Sequence, residues 1–365
     1  MLSLVQFPIA SPVDAAYGLR EKNMPTLPQL QVDAFLTGIS IAYMNTEFAA
    51  EQVFPDLPVD ARSDKYWVYN RDAFLRTSGL DSNGKSKSLR KDGGVANVIE
   101  HALSSDQYYT ENYAHRELVT DAVVRNAAAT PGSSMIQPRV DATLQLSARL
   151  AMDKEEMAAY KVGKTSLYPT ANKVTLTTNT TSWAAYTSAT SLPLNNIRDG
   201  KLAVRRSLLR EPNTALYTVD SAQVLADHPT IKDLVKYTHQ DALTSAGLPK
   251  VLRGLTTVEA AAQKITSNEG AANTSGNIWV DSSGYNLALI FYKSPETGPR
   301  SVHFGRTFCA PNPTTGVKGV SIRPYRDEAR GGEWLEGDMT IDIKHISVDD
   351  SSLAIGGYLI SGTDL

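Results

Sequence analysis

One segment, PRVDATLQLSARLAMDKEEMAAYKVG, constrains the fold of this chain more than any other. It begins at Pro138, which suits a first helical turn because its missing N–H costs no hydrogen bond there. It ends at Gly163, which can take the left-handed conformation that closes a helix. Leu146, Leu150, Met157 and Tyr160 recur at helical spacings, so the segment predicts a helix of about 40 Å that carries a core. The polar positions, which indicate no cofactor site, are Arg149, Asp153, Lys154, Glu155 and Glu156.

The length of 365 residues allows a substantial core and predicts two or more subdomains. The formal net charge is only −3, so no global field favours nucleic acid or an acidic membrane. A single cysteine, Cys309, excludes an internal disulfide framework and a cysteine-based zinc site. Its apolar surroundings predict a buried small side chain rather than a reactive nucleophile.

The first residues, MLSLVQFPIASPVDAAYG, lack the basic and apolar regions of a signal peptide. Apolar runs also stay short of the ~20 residues that a membrane span needs. We therefore expect a soluble protein that is made in a reducing cytoplasm and has no membrane partner.

Residues 1–60 are punctuated by prolines and carry only short apolar clusters, so we expect an extended arm laid over a neighbouring subunit. The next segment, Lys65 to Arg71, is rich in β-formers and predicts a strand. A return strand is predicted from Gln107 to Val119. Between them lies a polar Gly/Ser-rich stretch, and a loop of this length in a compact domain is commonly functional.

This stretch, from Arg76 to Gly94, predicts the tip of a protruding hairpin. Its basic residues, set against Asp81 and Asp92, are Arg76, Lys85, Lys87, Arg90 and Lys91. No aromatic residue is interleaved for base stacking, so an acidic protein surface is favoured over nucleic acid as its partner. A merely solvated loop remains the third interpretation.

After a connector from Thr120 to Gln137 and the long helix, helices and strands alternate from Pro193 onward. Helices are predicted at Ile197–Arg210 and at Ala222–Tyr237, the latter divided by Pro229. The predicted strands are Lys173–Thr178, Asn213–Val219, Leu252–Ala262, Asn277–Val280, Leu287–Tyr292, Val302–Phe308, Val317–Pro324, Trp334–Ile343 and Ala354–Ile360.

A search for catalytic patterns predicts no catalytic, cofactor-binding or metal-ligating residue. Dinucleotide, Walker, zinc-protease and nucleophile-elbow motifs are missing, and Ser82–Lys85 matches S-x-x-K only inside the polar loop. The histidines lack metal-ligand spacing and predict structural or surface roles; they are His101, His115, His228, His239, His303 and His345. A late acidic set could gather Ca²⁺ but predicts a solvated face; it comprises Asp327, Glu328, Glu333, Glu336, Asp338 and Asp342.

The order of these parts resembles the major capsid proteins of tailed double-stranded DNA bacteriophages, which have the Hong Kong 97 fold. The stretches that carry the resemblance are KYWVYNRDAF (65–74), ELVTDAVVRNAA (117–128) with the helix after it, NTALYTVDSAQVLADHPTIKDLVKYT (213–238) and SVHFGRTF (301–308). The resemblance runs from about Val53 to the C-terminus. It implies an α+β fold and a structural rather than an enzymatic role.

The same resemblance assigns a part to each region of the chain. The parts are an N-terminal arm (1–60), an extended loop (61–119), a peripheral domain (120–193) with its spine helix (138–163), an axial domain (194–330) and C-terminal strands that return to the peripheral domain (331–365). The implied function is self-assembly through pentamers and hexamers into an icosahedral shell around phage DNA, with the arm and the extended loop reaching across neighbouring subunits.

Implied partners are copies of the chain, a portal, a decoration protein and packaged DNA held by non-specific contact. Some relatives carry a long, charged, helical scaffold segment at the N-terminus; none is seen before the arm, so we expect a separate scaffolding protein, or none. Some relatives cross-link subunits through a lysine and an asparagine; Lys85, Lys87 and Lys91 lie in the right kind of loop, but no acceptor is identifiable, so we predict no cross-link. The alternatives are an encapsulin-like nanocompartment, which shares the fold, and an α+β enzyme of unrecognised type.

Overall fold

The structure is a computed structural model, and most of the chain from Glu47 onward is described in it. The described residues are 47–69, 77–96, 98, 103–129, 137–176, 180–236, 243–245, 247–268, 271–272, 274–296, 301–313, 316–349 and 352–364. Positions 1–46 of the predicted arm lie outside them, as do positions 70–76, which include the end of the predicted strand (65–71) and the first residue of the predicted tip, Arg76.

The helices of the described chain include the predicted ones, with shifts at their ends, and two further helices, the first and the second, that the sequence did not predict. They are α1 (Ala50–Val53), α2 (Asp121–Ala129), α3 (Pro138–Gly163), α4 (Pro193–Leu208), α5 (Val219–Asp227) and α6 (Pro229–Val235). Short 3₁₀ helices occupy Thr165–Leu167 and Thr170–Asn172. The long helix α3 has the predicted bounds, and Pro229 begins α6 and so separates it from α5 as predicted.

The strands form two larger sheets and two ribbons. They are β1 (Asp56–Pro58), β2 (Ser63–Tyr69), β3 (Leu103–Tyr109), β4 (Glu111–Thr120), β5 (Lys173–Thr175), β6 (Thr214–Thr218), β7 (Val251–Leu252), β8 (Leu255–Ala260), β9 (Gln263–Ile265), β10 (Ser275–Asn277), β11 (Leu287–Phe291), β12 (Gly305–Cys309), β13 (Val320–Asp327), β14 (Gly332–His345) and β15 (Gly357–Ser361). One sheet has the order β5-β15-β11-β6-β8-β7; the other has the order β1-β12-β14-β13, with β4 also paired to β14. The ribbons are β2-β3 and β9-β10.

The centre of the six-stranded sheet is built from the uninterrupted apolar runs TALYT (β6), LALIF (β11) and GYLIS (β15). Every residue of these three strands is buried, which is the pattern of strands covered on both faces. The helix α4 lies so close that a Cβ placed on Gly200 would come within 2.7 Å of the Tyr358 ring. Apolar clusters on the two faces of this sheet form the core.

The buried face of α3 is rotated from the predicted one. Leu146 and Leu150 are buried as expected, but Tyr160 is 63% exposed and Ala158 and Val162 take its place in the core. The small alanine side chain lets α3 approach its neighbours closely, whereas Tyr160 turns its ring to solvent. The helix packs on one core cluster together with β14, whose Met339, Ile341 and Ile343 point into the same cluster.

Other sequence predictions also differ from the structure. The strand expected at Asn277–Val280 is not formed, since β10 ends at Asn277 and Val280 makes only an isolated bridge with Asn286. The return strand predicted at Gln107–Val119 is interrupted at Thr110, because β3 pairs with β2 whereas β4 pairs with β14. The predicted connector contains α2, whose Ala-rich sequence favours helix. Gly163 does not close α3 in a left-handed conformation; a Cβ there would lie 2.2 Å from the Val280 carbonyl oxygen, so the close approach of that backbone requires glycine.

The described chain falls into two compact units. The smaller unit contains Glu117–Leu144 and Pro324–Leu335, where the Arg326 guanidinium binds both carboxylate oxygens of Asp121 at 2.7 and 2.6 Å. The larger unit contains the described residues of 47–116, 145–323 and 336–364, including both apolar clusters. Residues 47–58, which belong to the predicted arm, form α1 and β1, and their buried side chains Ala49, Ala50, Val53 and Phe54 join its core.

One loop design recurs in the larger unit, in which an aspartate carboxylate accepts backbone N–H bonds from residues further along its own turn. These loops begin at Asp81, Asp281 and Asp349. The residue three positions after each aspartate has a positive φ; these residues are Gly84 (74°), Gly284 (85°) and Ser352 (60°). The carboxylate therefore fixes the shape of each loop from within the loop itself.

Candidate functional site

The feature most suited to contact another molecule is the hairpin of β2 and β3. The strands pair antiparallel from Ser63 with Tyr109 at one end to Tyr69 with Leu103 at the other. We call the first end the root and the described residues 77–96 the tip. The tip is almost wholly exposed, and its hydrogen bonds include Lys87 N to Gly79 O at 3.0 Å and Lys85 N to the Asp81 carboxylate at 2.8 Å.

The root is fixed to the five-stranded sheet by aromatic rings. Tyr108 of β3 stacks on Phe308 of β12 with ring centroids 4.6 Å apart and planes 7° from parallel. Tyr66 of β2 contacts the same ring at 5.5 Å. Phe308 and Tyr108 are nearly fully buried, so this contact supplies apolar burial as well as ring stacking. The hairpin therefore leaves the sheet in a defined direction.

A charged network reinforces the root. The Asp106 carboxylate accepts the Tyr66 hydroxyl at 2.5 Å and the Lys344 ammonium at 3.1 Å. Burial and the Asp106 carboxylate raise the pKa of Tyr66, so its hydroxyl stays a donor. Burial alone would raise the pKa of Asp106, but hydrogen bonds from Tyr66, the Gln107 backbone and Lys344 lower it below its usual range. The ion pair therefore persists at neutral pH.

A groove lies beside the root, on the exposed side of α3. It has a volume of about 640 Å³. Its lining residues are Tyr109, Glu111, Tyr113, Asp153, Glu156, Met157, Tyr160, Lys161, Ile341, Asp342 and Ile343. Four carboxylates and one lysine are among them; Asp153 also pairs with His115 and Glu156 with Lys264, and the Tyr109 and Tyr160 side chains are each 63% exposed. We call this surface the acidic groove.

The middle of α3 binds the chain segment that precedes β1. The Glu155 carboxylate accepts the backbone N–H groups of Ala49 and Ala50, each at 2.8 Å, and the Trp279 indole N–H at 2.5 Å. The side chain has no solvent exposure. Burial raises the pKa of Glu155, while these three donors oppose the rise because they favour the charged form. Glu155 thus caps α1 from another helix.

The neighbouring Lys154 strengthens this anchor. Its ammonium lies 2.9 Å from the Asp56 carboxylate and 3.2 Å from the Glu51 carboxylate. Burial by itself would lower the pKa of Lys154, but hydrogen bonds and charge interactions with Asp56 and Glu51 raise it above its usual value. Adjacent side chains of α3 therefore hold both ends of the segment 49–56.

The cysteine, the S-x-x-K match and the histidines named above lie in separate parts of the structure. Cys309 is 5% exposed and burial raises the pKa of its thiol to about 12, as expected for a buried side chain. The Ser82–Lys85 match lies in the exposed tip. Among the histidines, His228 and His303 are buried and His115 pairs with Asp153 at 2.6 Å. His101 and His239 lie outside the described residues.

The late acidic set is not a solvated face throughout. Asp338 is 1% exposed and accepts the Ser321 hydroxyl at 2.5 Å, because β14 is an interior strand of its sheet. Glu336 pairs with Arg323 at 2.8 Å, and Glu333 with Arg139 at 2.8 Å. Among the described residues, no three His, Cys, Asp or Glu side chains are grouped so that they could hold a metal ion.

Sequence reasoning missed Glu155 and the aromatic root. Glu155 had one available signal: it is five residues after Leu150 and three before Ala158, which places it beside the buried stripe. Phe308 had no such signal, because its partners Tyr66 and Tyr108 are distant in sequence and only the fold unites them.

Comparison with known proteins shows similarity to phage capsid proteins. No protein-family model matches the chain. The major capsid protein of Burkholderia phage BcepMu is 26% identical over 218 residues, which are 58% of this chain and 63% of that protein. The major capsid protein of Pseudomonas phage JBD67 is 28% identical over 200 residues, 55% of this chain and 58% of that one. The matched regions thus span less than two thirds of these relatives.

Solved structures extend the likeness over nearly the whole chain. A phage-related protein from Bordetella bronchiseptica matches with a TM-score of 0.60 and 21% identity, covering 92% of this chain and 97% of its own. The mature capsid of bacteriophage PhiM1 matches with a TM-score of 0.53 and 13% identity, covering 90% of each chain. The encapsulin of Synechococcus elongatus matches with a TM-score of 0.51 and 10% identity, covering 98% and 97%.

The chain therefore has a mixed α+β fold of the phage-capsid class, the Hong Kong 97-like fold, as predicted. Its sequence relatives are phage major capsid proteins, which confirms the resemblance seen in the sequence. In the described part of the chain, no helix has both the length and the apolar composition needed to cross a membrane.

Proposed function

We propose that this chain is a major capsid protein that assembles through pentamers and hexamers into the icosahedral shell around a phage double-stranded DNA genome. The observation that carries the proposal is the similarity to two phage major capsid proteins in a chain that has the capsid fold. The role is structural and not enzymatic. The protein is made in the cytoplasm of the host bacterium and ends in the virion.

The proposal gives each region its part. Residues 1–60 act as the arm, 61–119 as the extended loop, 120–193 as the peripheral domain, 194–330 as the axial domain and 331–365 as the strands that return to the peripheral domain. The exposed tip and the fixed root support the role of the extended loop, because a contact between subunits needs an element that reaches out in a defined direction.

Further partners follow from the same role. A separate scaffolding protein, a portal, a decoration protein and non-specifically bound DNA complete the particle, and no covalent cross-link joins the subunits. Denaturing electrophoresis of purified particles tests the last point, since a cross-linked shell would not run as a single-chain band.

An encapsulin-like shell is the second candidate, favoured by the encapsulin fold match over 98% of this chain. Size-exclusion chromatography and negative-stain microscopy of the purified protein test the shared part of both proposals. Closed shells, or rings of five and six, are the expected result, whereas a stable small monomer that binds a metabolite would contradict both. Terminase and portal genes beside the coding gene would favour the phage capsid, and a cargo enzyme gene would favour the nanocompartment.

A further inference from the structure

We propose that the hairpin tip carries a site of spontaneous covalent modification, at which the Gly84 backbone nitrogen displaces the Asn83 amide and the side chain becomes an aspartate or an isoaspartate. Asn83–Gly84 is the one Asn-Gly dipeptide of the sequence, and it lies in the exposed tip. The inference goes beyond the proposed function, because the reaction needs the folded subunit and water but no other copy of the chain.

The reaction uses only groups that the chain and the solvent supply. The Gly84 nitrogen forms a bond to Cγ of Asn83, the bond from Cγ to Nδ2 breaks, and the Gly84 proton leaves with the amide as ammonia. Water then opens the resulting succinimide ring and returns a proton to the nitrogen. Attack of water at Cγ gives aspartate, whereas attack at the main-chain carbonyl carbon gives isoaspartate. No oxidant or reductant is needed, since neither step changes an oxidation state.

The surroundings of Gly84 leave room for this ring closure. Asn83 and Gly84 are both exposed, and Gly84 has a φ of 74°. A Cβ placed on Gly84 would meet no atom within 4 Å, and glycine has no side chain of its own to shield its nitrogen. Within the described part of the chain, the Asn83 carboxamide makes no hydrogen bond that would hold it away from that nitrogen.

One hydrogen bond slows the reaction. The Gly84 N–H donates to the Asp81 carbonyl oxygen at 3.1 Å, so the nitrogen can attack only after this bond opens. Exposed loops open locally at a small cost in free energy. We therefore expect Asn83 in the native tip to react no more than about tenfold more slowly than in the unfolded chain.

Two Asp-Gly dipeptides provide comparisons within the same chain, because they isomerise through the same ring with water as the leaving group. Asp92–Gly93 lies in the tip, where both residues are exposed and a Cβ on Gly93 would also meet no atom within 4 Å. Asp199–Gly200 lies inside α4. A Cβ on Gly200 would come within 2.7 Å of the Tyr358 ring, so this glycine is packed on all the space that the tip leaves open.

The backbone, and not the exposure of the acidic side chain, separates these two dipeptides. The Asp199 side chain is itself 56% exposed. In a helix, however, ψ stays near about −42° and each N–H is bonded to the carbonyl four residues earlier. The Gly200 nitrogen cannot reach the Asp199 carboxyl unless this part of α4 unfolds. We therefore expect the native fold to slow isomerisation there at least about a hundredfold relative to the unfolded chain.

Modification changes both the charge and the shape of the tip. The described tip carries four basic and two acidic side chains, a formal surplus of two positive charges. Conversion of Asn83 to either product adds a carboxylate and so halves this surplus. Isoaspartate also lengthens the backbone within the turn in which the Asp81 carboxylate accepts the N–H of this residue. A subunit that ages before it meets a partner therefore presents an altered tip.

Peptide mapping by mass spectrometry over several days tests the proposal on the full chain, kept native in one sample and unfolded in guanidinium chloride in the other. In the native sample, the peptide with Asn83 should gain the mass difference between a hydroxyl and an amino group, at a rate within about tenfold of the unfolded rate. Isomerised Asp92 should appear in both samples as a peptide of unchanged mass and shifted retention. Isomerised Asp199 should appear only in the unfolded sample.

A native Asn83 peptide that stays intact while the unfolded one reacts would overturn the proposal. Equal native rates at Asp92 and Asp199 would also overturn it, because the structure would then not select the tip. The matched variant is Asn83→Gln, which keeps the amide but places it one carbon further from the backbone, where ring closure is disfavoured. Aged wild-type protein should develop a later-eluting peak on anion exchange, and a peak of equal size in the variant would contradict the assignment to Asn83.

Discussion

At the scale of single residues, Glu155 shows how far a polar position on a helix can depart from its sequence pattern. The sequence pattern places it with Asp153 and Glu156 among the polar positions that indicate no site, yet it is fully buried and accepts hydrogen bonds from three N–H donors. A buried carboxylate is stable only when its acceptors are satisfied, so its role follows from the segment that folds over it. The sequence could not show that segment's position.

We predict that Glu155→Gln lowers the free energy of unfolding by about 1–3 kcal/mol, because the new NH₂ group faces donors and leaves them unpaired. Urea unfolding monitored by tryptophan fluorescence measures the change. The matched control is Glu156→Gln in the next position, where Glu156 is exposed and pairs with Lys264, so a change within about 0.5 kcal/mol is expected. Equal losses in the two variants would contradict the anchor.

From the surroundings of His345 we predict that the free energy of unfolding depends on pH. It packs against the rings of Phe304 at 4.7 Å and Phe54 at 5.5 Å, and burial lowers its pKa to about 4. As the pH falls below the ordinary histidine pKa, the unfolded chain binds a proton at this residue and the folded chain does not. Stability from this group is complete above about pH 6.5 and falls by up to about 1.4 kcal/mol per pH unit as the pH drops toward 4.

Urea unfolding at several pH values between 7.5 and 4.5 measures this slope. In His345→Phe the slope should be shallower than in the wild type, whatever the effect of the substitution at neutral pH. Parallel profiles for the two proteins would show that other groups cause the acid sensitivity.

At the scale of elements, α3 has its predicted bounds, but the reason for the glycine at its C-terminal end differs from the one that the sequence indicates. Its first residue, Pro138, begins the helix as the sequence indicates, but Gly163 is required by the Val280 carbonyl of a distant segment. The Ser282 N–H also donates to the Gly163 carbonyl at 3.1 Å. Local signals therefore predicted where the helix ends, and only the tertiary structure explains why that residue has no side chain.

We predict that Gly163→Ala destabilises the subunit by about 1–3 kcal/mol, since the added methyl overlaps backbone that cannot move freely. Gly276→Ala is the control, because its new Cβ would meet only the methyl group of Thr266 at 3.1 Å. Thermal unfolding by calorimetry compares them. A smaller loss at Gly163 than at Gly276 would refute the close-approach argument.

The hairpin tip is an element whose removal should spare the fold. Its described hydrogen bonds are local, as between Lys87 and Gly79, and it carries no buried residue. We predict that deletion of Gly79 to Gly93 leaves circular dichroism and the unfolding midpoint nearly unchanged but prevents assembly. Replacement by an equally long Gly/Ser linker should also prevent it, because the charges and leucines are gone. Loss of the native circular dichroism spectrum in either variant would indicate that the tip is part of the core.

At the scale of the whole molecule, the order of helices and strands was predictable, and the interactions between distant segments were not. Periodicity and turn residues located α3, α4 and the break at Pro229, because these signals are local. The predicted return strand is divided at Thr110 because its first part, β3, pairs with β2 and its second part, β4, pairs with β14. The groove needs α3, β4 and β14 together, so no linear pattern could have shown it.

Assembly should depend on salt if the exposed charges of the hairpin tip take part in contacts between subunits. Raising the NaCl concentration from about 0.1 M to 1 M shortens the Debye length from about 10 Å to 3 Å, which weakens contacts between exposed charges. We therefore expect light scattering to show slower assembly at high salt, while unfolding of the free subunit changes little. Assembly that accelerates with salt would indicate that apolar contacts alone drive it.

The loop built on Asp81 has a consequence for the thermodynamics of association. Its carboxylate accepts the backbone N–H groups of Asn83 and Lys85 at 2.9 and 2.8 Å, and Gly84 supplies the positive φ that the turn requires. This part of the tip thus keeps its shape before any partner arrives. A preorganised loop loses less conformational entropy on docking, so more of each contact's free energy remains available for affinity. In the proposed shell, this smaller loss of entropy would apply to each contact that the tip makes.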